Sequence, residues 1–242
     1  RGAGTVVVGL GGSATVDGGT GVARALGWRL KDAGGHDLPD GGGALAALAE
    51  LDPGWTLSAR VLGLADVINP LVGPEGAARV FGPQKGASAA DVERLDAGLE
   101  RLAELMARHG KPELAALPGG GAAGGLGAGL AFFTAADVVS GAAWVLERVG
   151  FDAALARADL VLTGEGAVDR TSLAGKVVGE VLRRARTARK RAVVVAGAVR
   201  DGMELAWPDA RLLAGPGAML DGPAIAGLAE RGVRQALGLP GQ

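Results

Sequence analysis

The chain has 242 residues, with 25 Lys plus Arg against 26 Asp plus Glu, two histidines and no cysteine. The near balance of charge removes the argument for nucleic acid or an anionic membrane surface as partner. Missing cysteines exclude disulfides, thiolate nucleophiles and Cys-ligated metals, and His36 and His109 alone make no His-rich metal site.

Such a chain suits the cytosol and is long enough for one large domain or two smaller ones. Its 44 glycines have no collagen period and cluster between apolar runs, which reads as turns and phosphate-type loops. The first residue is Arg1, without a signal-peptide pattern, and is read as the start of a fragment whose first part is missing.

In chain order, Thr5–Leu10 is a β-branched run ending at glycine and predicts a buried strand. Gly11–Gly21 is a loop, and a helix follows over Val22–Leu30. Ala44–Leu51 is a short helix-like piece or turn, and Arg60–Ala65 a second strand. Asp91–His109 carries Val92, Leu95, Leu99 and Leu102 at helical spacing and stops at Gly110 and Pro112. Leu114–Ala136 is uncharged and long enough for a membrane helix, but Pro118 and seven glycines break it. Within it, Gly119–Gly129 is expected to be a glycine loop opening a helix through Ala131–Phe133. Ser140–Val149 is a helix with Ser140 as cap. Asp159–Thr163 is a strand, Lys176–Thr187 a helix, Ala192–Ala196 a strand, Arg211–Ala214 a last strand and Ile225–Leu237 a last helix. From Ser140 onward this is a βαβ rhythm, which argues for a parallel sheet with helices on its faces.

Five segments could carry chemistry. Gly9–Gly19 (GLGGSATVDGG) follows a strand. Its backbone N–H groups, at Gly11, Gly12 and Ser13, can face an anion, while Asp17 could bind a metal or accept a proton; the bland alternative is a capped turn. Gly9-x-Gly11-x-x-Ala14 also fits a dinucleotide fingerprint loosely, with Asp32 near the ribose position. Asp66 and Asn69 sit just after a strand, where they hold metal or substrate hydroxyls or merely form an Asx turn before Pro70. Arg79 and Lys85 flank a Pro/Gly loop and could neutralise phosphate or carboxylate. Pro118–Gly129 allows either close backbone approach to a phosphate or close packing of a helix. Thr163–Lys176 (TGEGAVDRTSLAGK) follows a strand and brings Glu165, Asp169 and Lys176 within a dozen residues, as phosphoryl transfer needs. Walker A, protein-kinase HRD/DFG and GxSxG patterns are missing.

Together, GLGGSATVDGG, DVINPLVGPEGAARVFGPQKGAS, PGGGAAGGLGAGL and LTGEGAVDRTSLAGK look like the type I glycerate kinase family, in its order and at about its spacing. The resemblance implies an α/β fold of two α/β domains, one flavodoxin-like with a parallel sheet. The other is a mixed α/β domain inserted into it: residues 1–140 fall in the inserted domain and residues 141–242 in the flavodoxin-like one. It implies ATP and Mg²⁺, D-glycerate as substrate and 2-phosphoglycerate as product. Asp17, Asp66, Lys85 and Lys176 are then catalytic. Gly11, Gly12, Ser13, Glu165 and Asp169 bind the nucleotide, Glu165 and Asp169 hold the metal, and Asn69 and Arg79 touch substrate. The reactants are expected to meet in the cleft between the domains. The partner is a small molecule, with a homodimer left open and neither nucleic acid nor membrane. The family's Pro-Asp-Ser-Phe-Lys-like and Ala-Asp-Gly-Gly-Glu-Gly-like loops are missing, so the fragment alone is expected to be inactive or unstable. Ala167-Val168 stands where the family commonly has Arg-Ile, with Arg170 as the substitute cation. A nucleotide-dependent oxidoreductase and a non-catalytic sugar-acid-binding domain are the alternatives.

Overall fold

The computed structural model describes residues 2–169, 172, 175–200, 210–215 and 221–239. It divides into two compact units, Arg1–Gly141 and Ala142–Gln242. Arg170 lies outside the described residues.

The first unit runs β1 (Thr5–Gly9), α1 (Thr20–Ala25), β2 (Arg29–Lys31), a 3-10 turn at Gly42–Ala47, β3 (Glu50–Asp52) and β4 (Arg60–Ala65). It continues with α2 (Ala77–Phe81), a 3-10 turn at Pro83–Lys85, α3 (Ala89–Arg108), a 3-10 turn at Pro112–Ala116, α4 (Ala122–Thr134) and β5 (Asp137–Ser140). β1, β4 and β5 form a parallel sheet in that order, so the ends of all three point the same way. β2 and β3 make a separate antiparallel pair.

The long helix α3 starts on a capping box. The Ser88 hydroxyl accepts from the Asp91 N–H and the Asp91 carboxylate accepts from the Ser88 N–H, so two orphan donors of the first turn are satisfied. Its buried stripe of Leu99, Leu102, Leu105 and Met106 supplies the centre of this unit's core, with Leu45, Leu48 and Leu71 packed in.

The second unit runs α5 (Gly141–Arg148, beginning at the last residue of the first unit), α6 (Phe151–Arg157), β6 (Leu160–Val168), α7 (Val177–Thr187), β7 (Arg191–Val199), β8 (Ala210–Ala214) and α8 (Gly222–Leu237). Its sheet, β6-β7-β8, is parallel throughout. The all-apolar run of β7 follows from burial on both faces. Ala192, Val194 and Ala196 meet Val178, Leu182 and Ala185 of α7, whereas Val193 and Val195 meet Leu228 of α8. The fold is therefore α/β with parallel sheets. No helix among the described residues is long and apolar enough to cross a membrane.

Several expectations change. β1 is a strand but not a buried one: it is an edge of its sheet, and Val6 and Val7 are exposed. The first helix stops at Ala25 because Gly27 takes a left-handed φ of 82°, and Leu30 is buried in β2 instead. Ser140 closes β5, and α5 starts at the next residue, Gly141. β6 runs on to Val168, so Glu165 lies in a strand and not in a loop. The glycine segment 119–129 is mostly the start of α4, kinked where Ala123, Gly124 and Gly125 have positive φ.

Candidate active site

The first cluster surrounds Lys85. This residue ends the Pro83–Lys85 turn, held between Gly82 and a left-handed Gly86. Its Nζ donates to the Ser13 Oγ at 2.9 Å and to the Thr15 carbonyl at 2.6 Å, tying the turn to the glycine loop after β1. A cavity of about 360 Å³ opens beside it, lined by Gly11, Gly12, Ser13, Phe81, Gln84 and Lys85 among others. Burial pushes the Lys85 ammonium below the usual lysine range, and the negative charge of Asp17 pulls it partly back. The loop is not backed by a helix at Gly11–Ser13, because α1 begins only at Thr20.

Asp17 is half-buried and its Oδ1 accepts from the Gly19 N–H at 3.1 Å, so one oxygen shapes the turn into α1. Asp66 is exposed just past the end of β4, and a Cβ at Gly141 would lie 2.9 Å from its Oδ1. Asp66 does not line the Lys85 cavity, whereas its neighbour Val67 does.

Asn69 and Arg79 take other tasks. The Asn69 amide donates to the Glu75 carbonyl at 2.9 Å and closes its own loop. Arg79 donates from Nε to Asp96 at 2.8 Å and forks onto both oxygens of Glu93 at 2.9 and 3.2 Å. Asp96 is buried, so Arg79 neutralises a buried carboxylate of α3. These partners lie 14 and 17 residues downstream, and only the face of a helix could have revealed them.

The glycine segment 119–129 resolves as packing. A Cβ at Gly124 would overlap the Thr15 carbonyl oxygen, and one at Gly129 the Gly18 carbonyl oxygen. The Gly18 N–H donates to the Gly124 carbonyl at 3.0 Å. α4 therefore lies backbone to backbone against the loop that presents Ser13 and Asp17, and its glycines support that loop. Asp32 accepts from the Gly34 and His36 N–H groups, so its Oδ1 shapes its own turn.

The second cluster belongs to the second unit. Glu165, on β6 beside Ala196 of β7, has a buried Oε1 with no hydrogen-bond partner among the described residues. It lines a largely apolar groove of about 650 Å³ with Leu162, Val195, Arg200 and Ile225. Asp169 closes a reciprocal turn: its Oδ1 accepts from the Ser172 N–H at 3.2 Å, and its own N–H donates to the Ser172 Oγ at 3.0 Å. Lys176, at the start of α7, holds its Nζ 3.7 Å from the Asp169 Oδ1. No group of three His, Asp or Glu side chains suited to a metal occurs among the described residues. A hard divalent ion that keeps water and phosphate oxygens needs only one or two carboxylates, and the unpartnered Glu165 oxygen suits it.

A family model described as "Glycerate kinase family" matches residues 1–210. The chain is 40% identical over 203 residues to the "Glycerate kinase" of Halalkalibacterium halodurans, covering 82% of this chain and 53% of that protein. It is 41% identical over 204 residues to the "Glycerate 2-kinase" of Escherichia coli strain K12, covering 83% and 54%. A crystal structure described as that of a "putative glycerate kinase 2 from Salmonella typhimurium LT2" matches with a TM-score of 0.69 and 39% identity, over 96% of this chain and 62% of that one. The chain spans about half the length of the curated relatives it matches.

Proposed function

The chain belongs to the glycerate kinase family, and on that premise we propose that its protein phosphorylates D-glycerate to 2-phosphoglycerate at the expense of ATP. The observation that carries the reading is Lys85: a half-buried cation, bonded to Ser13 and Thr15, at the wall of a cavity floored by Gly11 and Gly12.

Phosphoryl transfer asks a protein for positioning and charge compensation more than for covalent chemistry. The glycerate hydroxyl oxygen bonds to the γ-phosphorus, the bond from that phosphorus to the bridging oxygen of ADP breaks, and the hydroxyl proton passes to a carboxylate. Asp17 is the preferred acceptor, since its charge already acts on Lys85; Asp66 is the other. Lys85 offsets negative charge on the acid side. In the second unit Lys176 and Glu165 act on the nucleotide phosphates, with Asp169 orienting Lys176. Mg²⁺, when bound, supplies charge neutralisation of the phosphate oxygens, and Glu165 would hold it, with Asp169 as the further carboxylate expected of the family.

A coupled ADP-release assay with D-glycerate and ATP–Mg²⁺, run on the gene product at its natural length, tests the reading. ADP release that requires D-glycerate is expected, and replacing Lys85 by Ala should lower turnover about 100-fold or more. ADP release indifferent to D-glycerate would remove the proposal.

A further inference from the structure

The cavity beside Lys85 has features that single out one part of one reactant, on the premise that the protein is the kinase proposed above. It is small, about 360 Å³, near the lower bound of roughly 300 Å³ for ligand pockets. That is ample room for a short acid. Its charge is single: among the described lining residues Lys85 is the one cation, and Asp17 acts on it from nearby. A polyphosphate would meet that second, negative charge with several of its own, whereas a carboxylate carries one. The remaining lining is neutral, with Leu10 and Phe81 offering carbon surface and Gln84 an amide.

We propose that this cavity is the carboxylate subsite for a short hydroxy acid and that Gln84 is a specificity-determining residue within it. Gln84 adjoins Lys85 on the Pro83–Lys85 turn, so an ammonium and an amide line the same small space from one short turn. The ammonium compensates the carboxylate charge; the amide donates to it and its carbonyl can accept from a substrate hydroxyl. Gln84 is exposed, so replacing it alters the rim of the cavity and not the core.

Isothermal titration of the natural-length protein with sodium D-glycerate, glycerol and ATP–Mg²⁺ tests this. D-Glycerate should bind and glycerol, which lacks the carboxylate, should not. Gln84→Glu, nearly the same shape with a negative charge, should weaken D-glycerate about tenfold or more and leave ATP–Mg²⁺ unchanged, because specificity of this kind comes from the repulsive group. Gln84→Ala should weaken it by a smaller factor. Unchanged D-glycerate affinity in Gln84→Glu overturns the proposal; so does a loss confined to ATP–Mg²⁺, which would make the cavity a phosphate subsite. If D-lactate binds with the same sensitivity to Gln84→Glu while no D-glycerate-dependent ADP release occurs, the carboxylate subsite stands and the glycerate kinase reading falls.

Discussion

Arg79 and Gly124 show how a side chain's task depends on what the fold puts beside it. Residue type alone offered Arg79 as an anion contact. Its actual partners, Glu93 and Asp96, become neighbours only once α3 turns a face toward it. Arg79→Ala should therefore lower the midpoint of thermal unfolding by several degrees, since it strands a buried carboxylate, while the KM for glycerate moves by less than about twofold. The glycines divide in the same manner. A Cβ placed at Gly11 would have nothing within 4 Å, whereas one at Gly124 would strike the Thr15 carbonyl from a backbone with φ of 72°. Gly124→Ala should cost at least about 2 kcal/mol in urea unfolding. Gly11→Ala should leave stability within about 0.5 kcal/mol yet impair D-glycerate binding, because the new methyl enters the cavity. The sequence signalled both as glycine-rich motifs; what it withheld was which backbone would approach which.

The long periodic helices were legible, and the short elements between them were not. α3, α7 and α8 have apolar spacing over several turns with polar caps or stops, and they form within a few residues of where the pattern puts them. β5 has four residues, too few for a period to register, and it is defined by pairing Leu62–Ala65 of β4. α6 is two turns long and was lost between α5 and β6. Within α7, Glu180 accepts from Arg183 and Arg184, and Arg184 also reaches Asp152 of α6. The Arg183 hydrogen bond, followed by that of Arg184, holds the Glu180 carboxyl below its usual range. Because the folded protein releases this proton more readily than the unfolded chain, the stabilisation is present above the ordinary glutamate range and fades as pH falls through the lower folded value. Glu180→Gln should cost about 1 kcal/mol at neutral pH, modest because water reaches the pair, and the gap from the parent protein should close on acidification in urea titrations followed by far-UV circular dichroism.

For the molecule as a whole, the βαβ rhythm after residue 140 made the α/β class readable in the order of residues alone. Strand order was not readable, because it is fixed by pairing between segments far apart in sequence: Thr5 beside Arg60, Leu62 beside Asp137. Of the candidate site, the residues that gather at Lys85 could be named from sequence, but not the bonds of Lys85 to Ser13 and Thr15 across some 70 positions.

The nine-residue β6 is bonded to β7 along one side only among the described residues, and Leu162 stands half exposed on it. Such a ladder of unspent amide and carbonyl groups is a template that any extended peptide can copy. In a concentrated solution of this chain by itself, copies should stack through that rim, and light scattering on warming should rise with protein concentration. Leu162→Lys, which sets a hydrated charge in the path of a docking neighbour, should keep the solution clear to higher temperature.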